Sequence, residues 1–416
     1  MKKRLIFDQI LAEKKSKKAS IIIGPRQVGK TTILKELHKT LGGLFFDIDI
    51  FSDYSKISSY ENAINTFKIN GYKEKQKSIF YIFLDEFQRY AEITKTVKSL
   101  FDHHHNIKIF ATGSSALGIK NSIQESLAGR KNITYVYPLD FTEFLYFKNR
   151  SDIADEISRL PKIKSDDYFV SLNKETYSLL SEFIVFGGYP EVVLAKNKEE
   201  KQKALSSIFD LYIKKDFAEY AKTEKLLSAN KLMQLVAINN GQQTNHARYA
   251  EIAGIDVRTV KNYLTILEET FITVEIHPYF QNKNKEISKM SKIYFLDNGV
   301  RNFFSGGFAD WKLRADAGFL FEGFYISELI KKGVDAERIK FYRTKSGEEI
   351  DIILDLQDKL VPIELKMKKK VGLRDISAVK RFVEKNSLKK GYVVTTGELV
   401  KKGKIETVDC FRKVYH

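Results

Sequence analysis

The stretch Ala19–Glu36, ASIIIGPRQVGKTTILKE, limits what this chain can fold into more than any other. Ala19–Ile23 is a short continuous apolar run, as a parallel strand buried on both faces requires. It runs directly into Gly24, Pro25, Arg26, Gln27, Val28, Gly29, Lys30 and Thr31, which satisfy G-x-x-x-x-G-K-S/T at every fixed position. That spacing lets successive backbone N–H groups converge on an anion, because glycine tolerates crowded and left-handed positions. Thr31 to Leu37 continues as a helix, whose positive N-terminus points at the same anion. The loop therefore predicts a phosphate site binding ATP with Mg²⁺. Residues 24–31 and Thr32 contact the nucleotide, Lys30 reaches the terminal phosphates, and the Thr31 hydroxyl holds the metal.

A strand–loop–helix of this kind needs a parallel sheet around it. Gly43–Ile50 reads as a second strand and Ile79–Leu84 as a further apolar run, which ends in Asp85 and Glu86. At the C-terminal end of a buried strand, Asp85 is placed to hold Mg²⁺ and Glu86 to polarise the attacking water. Ile107–Ala111 delivers Thr112-Gly113-Ser114-Ser115 to the same edge. Ser114 or Ser115 can bond the terminal phosphate or cap a helix, and the sequence does not choose between them. Arg130 follows Ser126-Leu127-Ala128-Gly129; it can neutralise charge on its own or a neighbouring subunit's nucleotide, which would make the protein a homo-oligomer, or simply cap a helix. His103-His104-His105 reads as a loop rather than a metal site, since consecutive side chains cannot easily share one ion.

At 416 residues the chain is too long for one ordinary core, which holds about 100–200 residues. Pro138 to about Tyr220 is helix-like, with the turn Gly187-Gly188-Tyr189-Pro190. Lys231–Asn239, Asn245–Ala253 and Val257–Glu268 then give three short amphipathic helices, followed by the apolar run Phe271–Ile276, the order of a winged helix-turn-helix. In that reading Arg258, Thr259, Lys261 and Asn262 face a DNA groove while Val260, Leu264 and Leu267 face inward. Lys283, Lys285 and Lys289 lie in the wing. Further on, Glu322 lies in an amphipathic helix, Asp351 in the apolar strand Glu349–Leu354, and Glu364 and Lys366 two apart in Leu360–Lys366. Alternation puts Glu364 and Lys366 on one face, and Asp351 opposite them would make Asp351 and Glu364 a Mg²⁺ pair.

GPRQVGKT, FLDEFQ, TGSS, SLAGR, PLDFTEFL and FGGYPEVV, in this order, resemble the AAA+-type ATPases of bacteria and archaea that carry a C-terminal module of obscure role. The resemblance implies an α/β fold. It would combine an ASCE/AAA+-type P-loop parallel sheet over 1–145, a helical lid or connector over 146–225, a winged helix over 226–280 and a nuclease-like α/β domain over 281–416. It also implies hydrolysis by Glu86 and a PD-(D/E)xK-like set of Glu322, Asp351, Glu364 and Lys366. The formal charge of +17 suits a polyanionic partner, nucleic acid or a headgroup surface, or simply a solvated lysine-rich surface; with the helix-turn-helix pattern it makes DNA the expected partner of the C-terminal half. A single cysteine, Cys410, excludes an intrachain disulfide and fits a reducing cytoplasm. No apolar stretch reaches the roughly 18 residues of a membrane span, and the N-terminus lacks a secretory pattern.

Overall fold

The computed structural model describes residues 2–114, 129–159, 174–221, 226–282, 284, 286, 289–368, 370–397 and 401–414. The chain divides into two compact units: Met1–Pro138 with Lys215–Lys222 and Glu269–Phe271, and Leu139–Lys214 with Thr223–Glu268 and Ile272–His416.

The first unit is built on strands β1 (Ala19–Gly24), β2 (Leu44–Asp47), β3 (Phe80–Asp85), β4 (Ile107–Ser114) and β5 (Lys131–Tyr135). Their order is β2-β3-β4-β1-β5, and all four pairings are parallel. Ile21, Ile23, Leu84 and Ile109 pack in one core with Ile93, Val97 and Leu100 of the helix Ala91–His103. Because the strands run one way, Gly24, Asp85 and Ser114 reach the same edge. A Cβ on Gly24 would overlap the Val136 carbonyl, so glycine there permits a close backbone approach. Strand β4 runs three residues beyond the expected Ala111, because it pairs on both sides, with β3 and with β1 as far as Gly24 opposite Ser114. The histidine run is only partly a loop. His103 ends a helix, and buried His104 meets the Tyr60 and Tyr72 hydroxyls at 2.9 and 2.8 Å.

The second unit combines helices with an eight-stranded mixed sheet. Its strands are β6 (Thr273–Pro278), β7 (Lys292–Phe295), β8 (Ile339–Arg343), β9 (Glu349–Asp355), β10 (Leu360–Lys366), β11 (Gly391–Thr395), β12 (Lys401–Lys402) and β13 (Ile405–Asp409). They run in the order β12-β13-β11-β10-β9-β8-β6-β7. The three amphipathic helices form at Leu226–Ile238, His246–Ala253 and Val257–Glu269, with left-handed Gly254 closing the second. The chain then enters β6, which pairs antiparallel with β7 and parallel with β8. The boundary expected at 280/281 therefore falls inside a hairpin, whose strands are already part of the C-terminal sheet. Lys283 and Lys285 lie outside the described residues.

The turn in FGGYP has a packing explanation. Asp297 caps the helix Asn298–Ser305 through the Gly299 and Val300 amides and accepts from the Gly188 amide at 2.7 Å. Gly187 has φ 76°, and a Cβ on it would overlap the Asp297 carboxylate. Gly187→Ala combines left-handed strain with that overlap, so it should destabilise the second unit by about 2 kcal/mol or more. Urea unfolding followed by tryptophan fluorescence checks this through the lone Trp311, which is buried in the same unit. An unchanged midpoint would contradict it.

Candidate functional site

The exit of β1 makes the first site. Gln27 and Gly29 take left-handed backbone angles, φ 62° and 95°, which turn the loop into the twelve-residue helix Lys30–Leu41. Pro25 and Val28 are buried, Arg26 is half-buried, and Thr32 is exposed on the helix's first turn. Lys30 is buried, its Nζ donating to the Gly24 and Pro25 carbonyls at 2.9 and 2.7 Å. The Thr31 hydroxyl donates to Asp85 Oδ1 at 3.2 Å, bringing the end of β3 to the start of the helix. These residues fit Mg²⁺–ATP: a hydroxyl and a buried carboxylate converge beside an anion-binding helix N-terminus. Thr31 and Asp85 would hold the metal, which offsets charge on the phosphates when bound.

Further residues neighbour this site. Thr112, fully buried, donates to the same Asp85 Oδ1, while its oxygen accepts from the Glu86 amide at 3.3 Å. The signal for it is its place in the sequence, directly after the apolar run that ends at Ala111. Ser114 lies on β4 opposite Gly24; Ser115 lies outside the described residues. Glu86 sits at φ 52°, and Gln88 Nε2 donates to its carboxylate at 2.5 Å. Arg4 is buried against the loop, donating to the Val28 carbonyl at 2.6 Å and the Tyr137 carbonyl at 3.0 Å. On the far side of Asp85, Asp47 ends β2 with its carboxyl raised in pKa, chiefly by burial and also by Asp85.

Arg130 requires correction as a partner of its own chain's phosphates. Its carbonyl accepts from the Ala19 amide, and its guanidinium pairs with Asp102 at 2.8 Å. It therefore sits where β1 begins, while the phosphate loop lies where β1 ends. Six strand residues separate those edges, about 16–20 Å.

The second cluster lies in the other unit. Glu322, buried on the helix Ala317–Lys331, accepts from the Tyr294 hydroxyl at 2.5 Å and pairs with Lys292 at 3.3 Å. Asp351 on β9 accepts from the Leu365 amide of β10 at 2.8 Å, and Glu364 pairs with Lys366 at 2.5 Å. Burial pushes Glu322 up to about 7, with Lys292 opposing; burial and then Asp351 push Glu364 up to about 7. Burial also raises Asp351, against the pull of Lys366. The structure thus gathers Glu322, Asp351, Glu364 and Lys366, and it bonds Asp351 and Glu364, the expected metal pair, to groups of the chain itself. Among the described residues no three His, Cys, Asp or Glu side chains converge as a metal site, and ammonium and amide groups supply the partners just named.

On the helix Val257–Glu269, Arg258, Lys261 and Asn262 are exposed and Val260, Leu264 and Leu267 are buried, the inward set expected. Thr259, half-buried, bonds the exposed Asp256 through its hydroxyl and amide, at 2.6 and 2.9 Å, and so also serves the helix start.

A parallel sheet with a phosphate loop at the exit of β1 and an acidic pair at the end of β3, with β4 between them, defines a P-loop nucleotide-binding domain. Residues 16–145 match the family described as AAA domain, and 177–310 and 317–410 match two domains of unknown function, DUF8612 and DUF4143. The chain therefore carries an AAA-type ATPase domain at its N-terminal end. Uncharacterized protein MJ1544 of Methanocaldococcus jannaschii is 26% identical over 375 residues, 88% of this chain and 79% of that protein. An uncharacterized Haemophilus influenzae protein is 24% identical over 372 residues, 86% and 85% respectively. Among solved structures, the Walker-type ATPase paby2304 of Pyrococcus abyssi has a TM-score of 0.48 at 14% identity, covering 73% of this chain and 96% of that one. The Aeropyrum pernix ORC2 protein in its ADP form has a TM-score of 0.35 at 11% identity, covering 73% and 92%. No helix among the described residues is long and apolar enough to cross a membrane.

Thr112→Val should keep the fold but take from Asp85 one of its two hydroxyl donors and from the Glu86 amide its Thr112 acceptor, at a cost of about 1–3 kcal/mol. Steady-state ATP hydrolysis should then fall about tenfold or more in kcat/KM. Wild-type kinetics in this variant would remove Thr112 from the site.

Proposed function

We propose that this protein binds and hydrolyses ATP as an AAA+-type ATPase and couples that turnover to a nucleic-acid-binding C-terminal half. The observation that carries the ATPase reading is the meeting of Thr31 and Asp85 at 3.2 Å at the mouth of a complete phosphate loop, with Glu86 next in the chain. The loop amides and the helix start take the phosphates, Lys30 adds a positive charge beside them, and Glu86 orients the attacking water. Ser114, beside Gly24, is a candidate for contact with the terminal phosphate. Arg130, at the opposite edge of its own sheet, is left only a neighbouring subunit's nucleotide to reach, so any charge-neutralising role requires a homo-oligomer. Lys30→Ala should abolish nucleotide binding, whereas Glu86→Gln should retain ATP and lose about 10²-fold or more in kcat. Undiminished hydrolysis by Glu86→Gln would overturn the role given to that residue.

The nucleic-acid reading is supported by the +17 formal charge and by Arg258, Lys261 and Asn262 on the outward face of a helix that follows a tight turn. The acidic cluster of the same unit serves binding and structure in this reading, not cleavage, because its carboxylates are bonded to lysines and backbone amides. Duplex DNA affinity measured against salt should therefore be steep. Arg258→Ala with Lys261→Ala should weaken it and flatten the log–log slope by about 0.9 for each phosphate that is no longer neutralised. Wild type that shows no binding even at low salt would instead favour an ATPase acting on proteins.

A further inference from the structure

The carboxylates of the acidic cluster are paired with two lysines of the chain. Four carboxylates come together from three elements. Glu322 comes from the helix Ala317–Lys331, Glu349 and Asp351 from one face of β9, and Glu364 from β10. Lys366 answers one side of this group through its bond to Glu364. The other side is answered by Lys292, which no local pattern near the acidic residues announces. It stands on β7, within the segment matched to one domain of unknown function, and reaches acids that all lie in the segment matched to the other.

Lys292 is held as a buried ion must be. Its side chain is 4% exposed, its Nζ lies 2.7 Å from Glu349 and 3.3 Å from Glu322, and it sits 5.0 Å above the Phe341 ring. Two carboxylates and an aromatic face around one ammonium supply the compensation that burying a charge demands. Burial alone would lower its pKa, yet Glu322 and Glu349 hold it above the usual lysine value. Tyr294, two residues further along the strand, donates its hydroxyl to Glu322 and fixes that carboxylate towards the lysine. Glu322 Oε1 is thereby committed to two donors of the chain.

We propose that Lys292 is the resident cation of this cluster, taking the place between Glu322 and Glu349 so that the site holds no divalent metal while Lys292 is present. The inference rests on the reading of the C-terminal half as a binding module that does not cleave. The ammonium ties β7 to the helix and to β9, and a divalent ion can take Glu322 as a ligand only by displacing it. A competing ion would also have to break the Lys366–Glu364 and Asp351–Leu365 bonds to gain further oxygens.

The test is titration of Mn²⁺ into the nucleotide-free full chain, with free ion followed by electron paramagnetic resonance. Wild type and the double variant Asp351→Asn with Glu364→Gln should take up the same amount, so that no bound ion is assigned to the cluster. Lys292→Met, which keeps the stem and removes the charge, should gain about one ion per chain, and adding Asp351→Asn should remove that gain. An ion bound by wild type and lost in the double variant overturns the proposal. So does unchanged Mn²⁺ uptake by a Lys292→Met protein whose melting curve shows that it is folded. Should Lys292→Met fail to fold, the wild-type comparison still decides the matter. Salt-dependent DNA affinity, measured on the same preparations, reports separately on the binding reading; its loss would leave the Mn²⁺ result standing.

Discussion

Asp85 accepts from Thr31 and from Thr112, and that shared carboxylate is the point on which the nucleotide site depends. It joins the end of β3 to the helix that follows β1 and to the last residues of β4. Three elements far apart in sequence are thus pinned at one edge of a parallel sheet. A buried carboxylate with two hydroxyl donors is held in a fixed orientation, as a metal-binding group must be. The surrounding features serve this arrangement. Gly24 lets the backbone near Val136 approach, Gly29 turns the loop into its helix, and Arg4 holds the loop's outer carbonyl.

How much of this is legible in the sequence follows from how local each interaction is. The phosphate loop is contiguous, and its chemistry fixes residue types at fixed spacing, so Gly24 to Thr31 can be read directly. Asp85 and Glu86 can be placed because an apolar run ends abruptly in two acids. Thr112 is passed over for its serine neighbours because the true end of β4 depends on pairing with β1 and β3, which no window on the sequence contains. The alternatives for Arg130 stay open in the sequence for a related reason: which sheet edge a residue occupies follows from parallel register, not from composition. Lys292 and Arg4 act across 30 and 24 residues, and neither leaves a local trace.

The second unit shows the same division. Helical periodicity separates Val260, Leu264 and Leu267 from the exposed side of their helix, yet the Asp256–Thr259 cap, formed over three residues, claims a threonine expected to point outward. Alternation correctly sets Glu364 beside Lys366, a pairing the structure makes at 2.5 Å. What alternation cannot reveal is that the strand expected after the three helices, β6, joins the C-terminal sheet, and that β7, paired with it, brings Lys292 to the acids. The sign of the charge inside that cluster therefore has to come from the fold.

The central claim is that the phosphate loop and Asp85 together bind magnesium–ATP. Calorimetric titration of ATP into the full chain, with magnesium and then with excess chelator, tests it most directly. One nucleotide per chain, bound markedly more weakly once magnesium is removed, is the predicted result. No heat at any ATP concentration into the millimolar range, or affinity indifferent to magnesium, would contradict it.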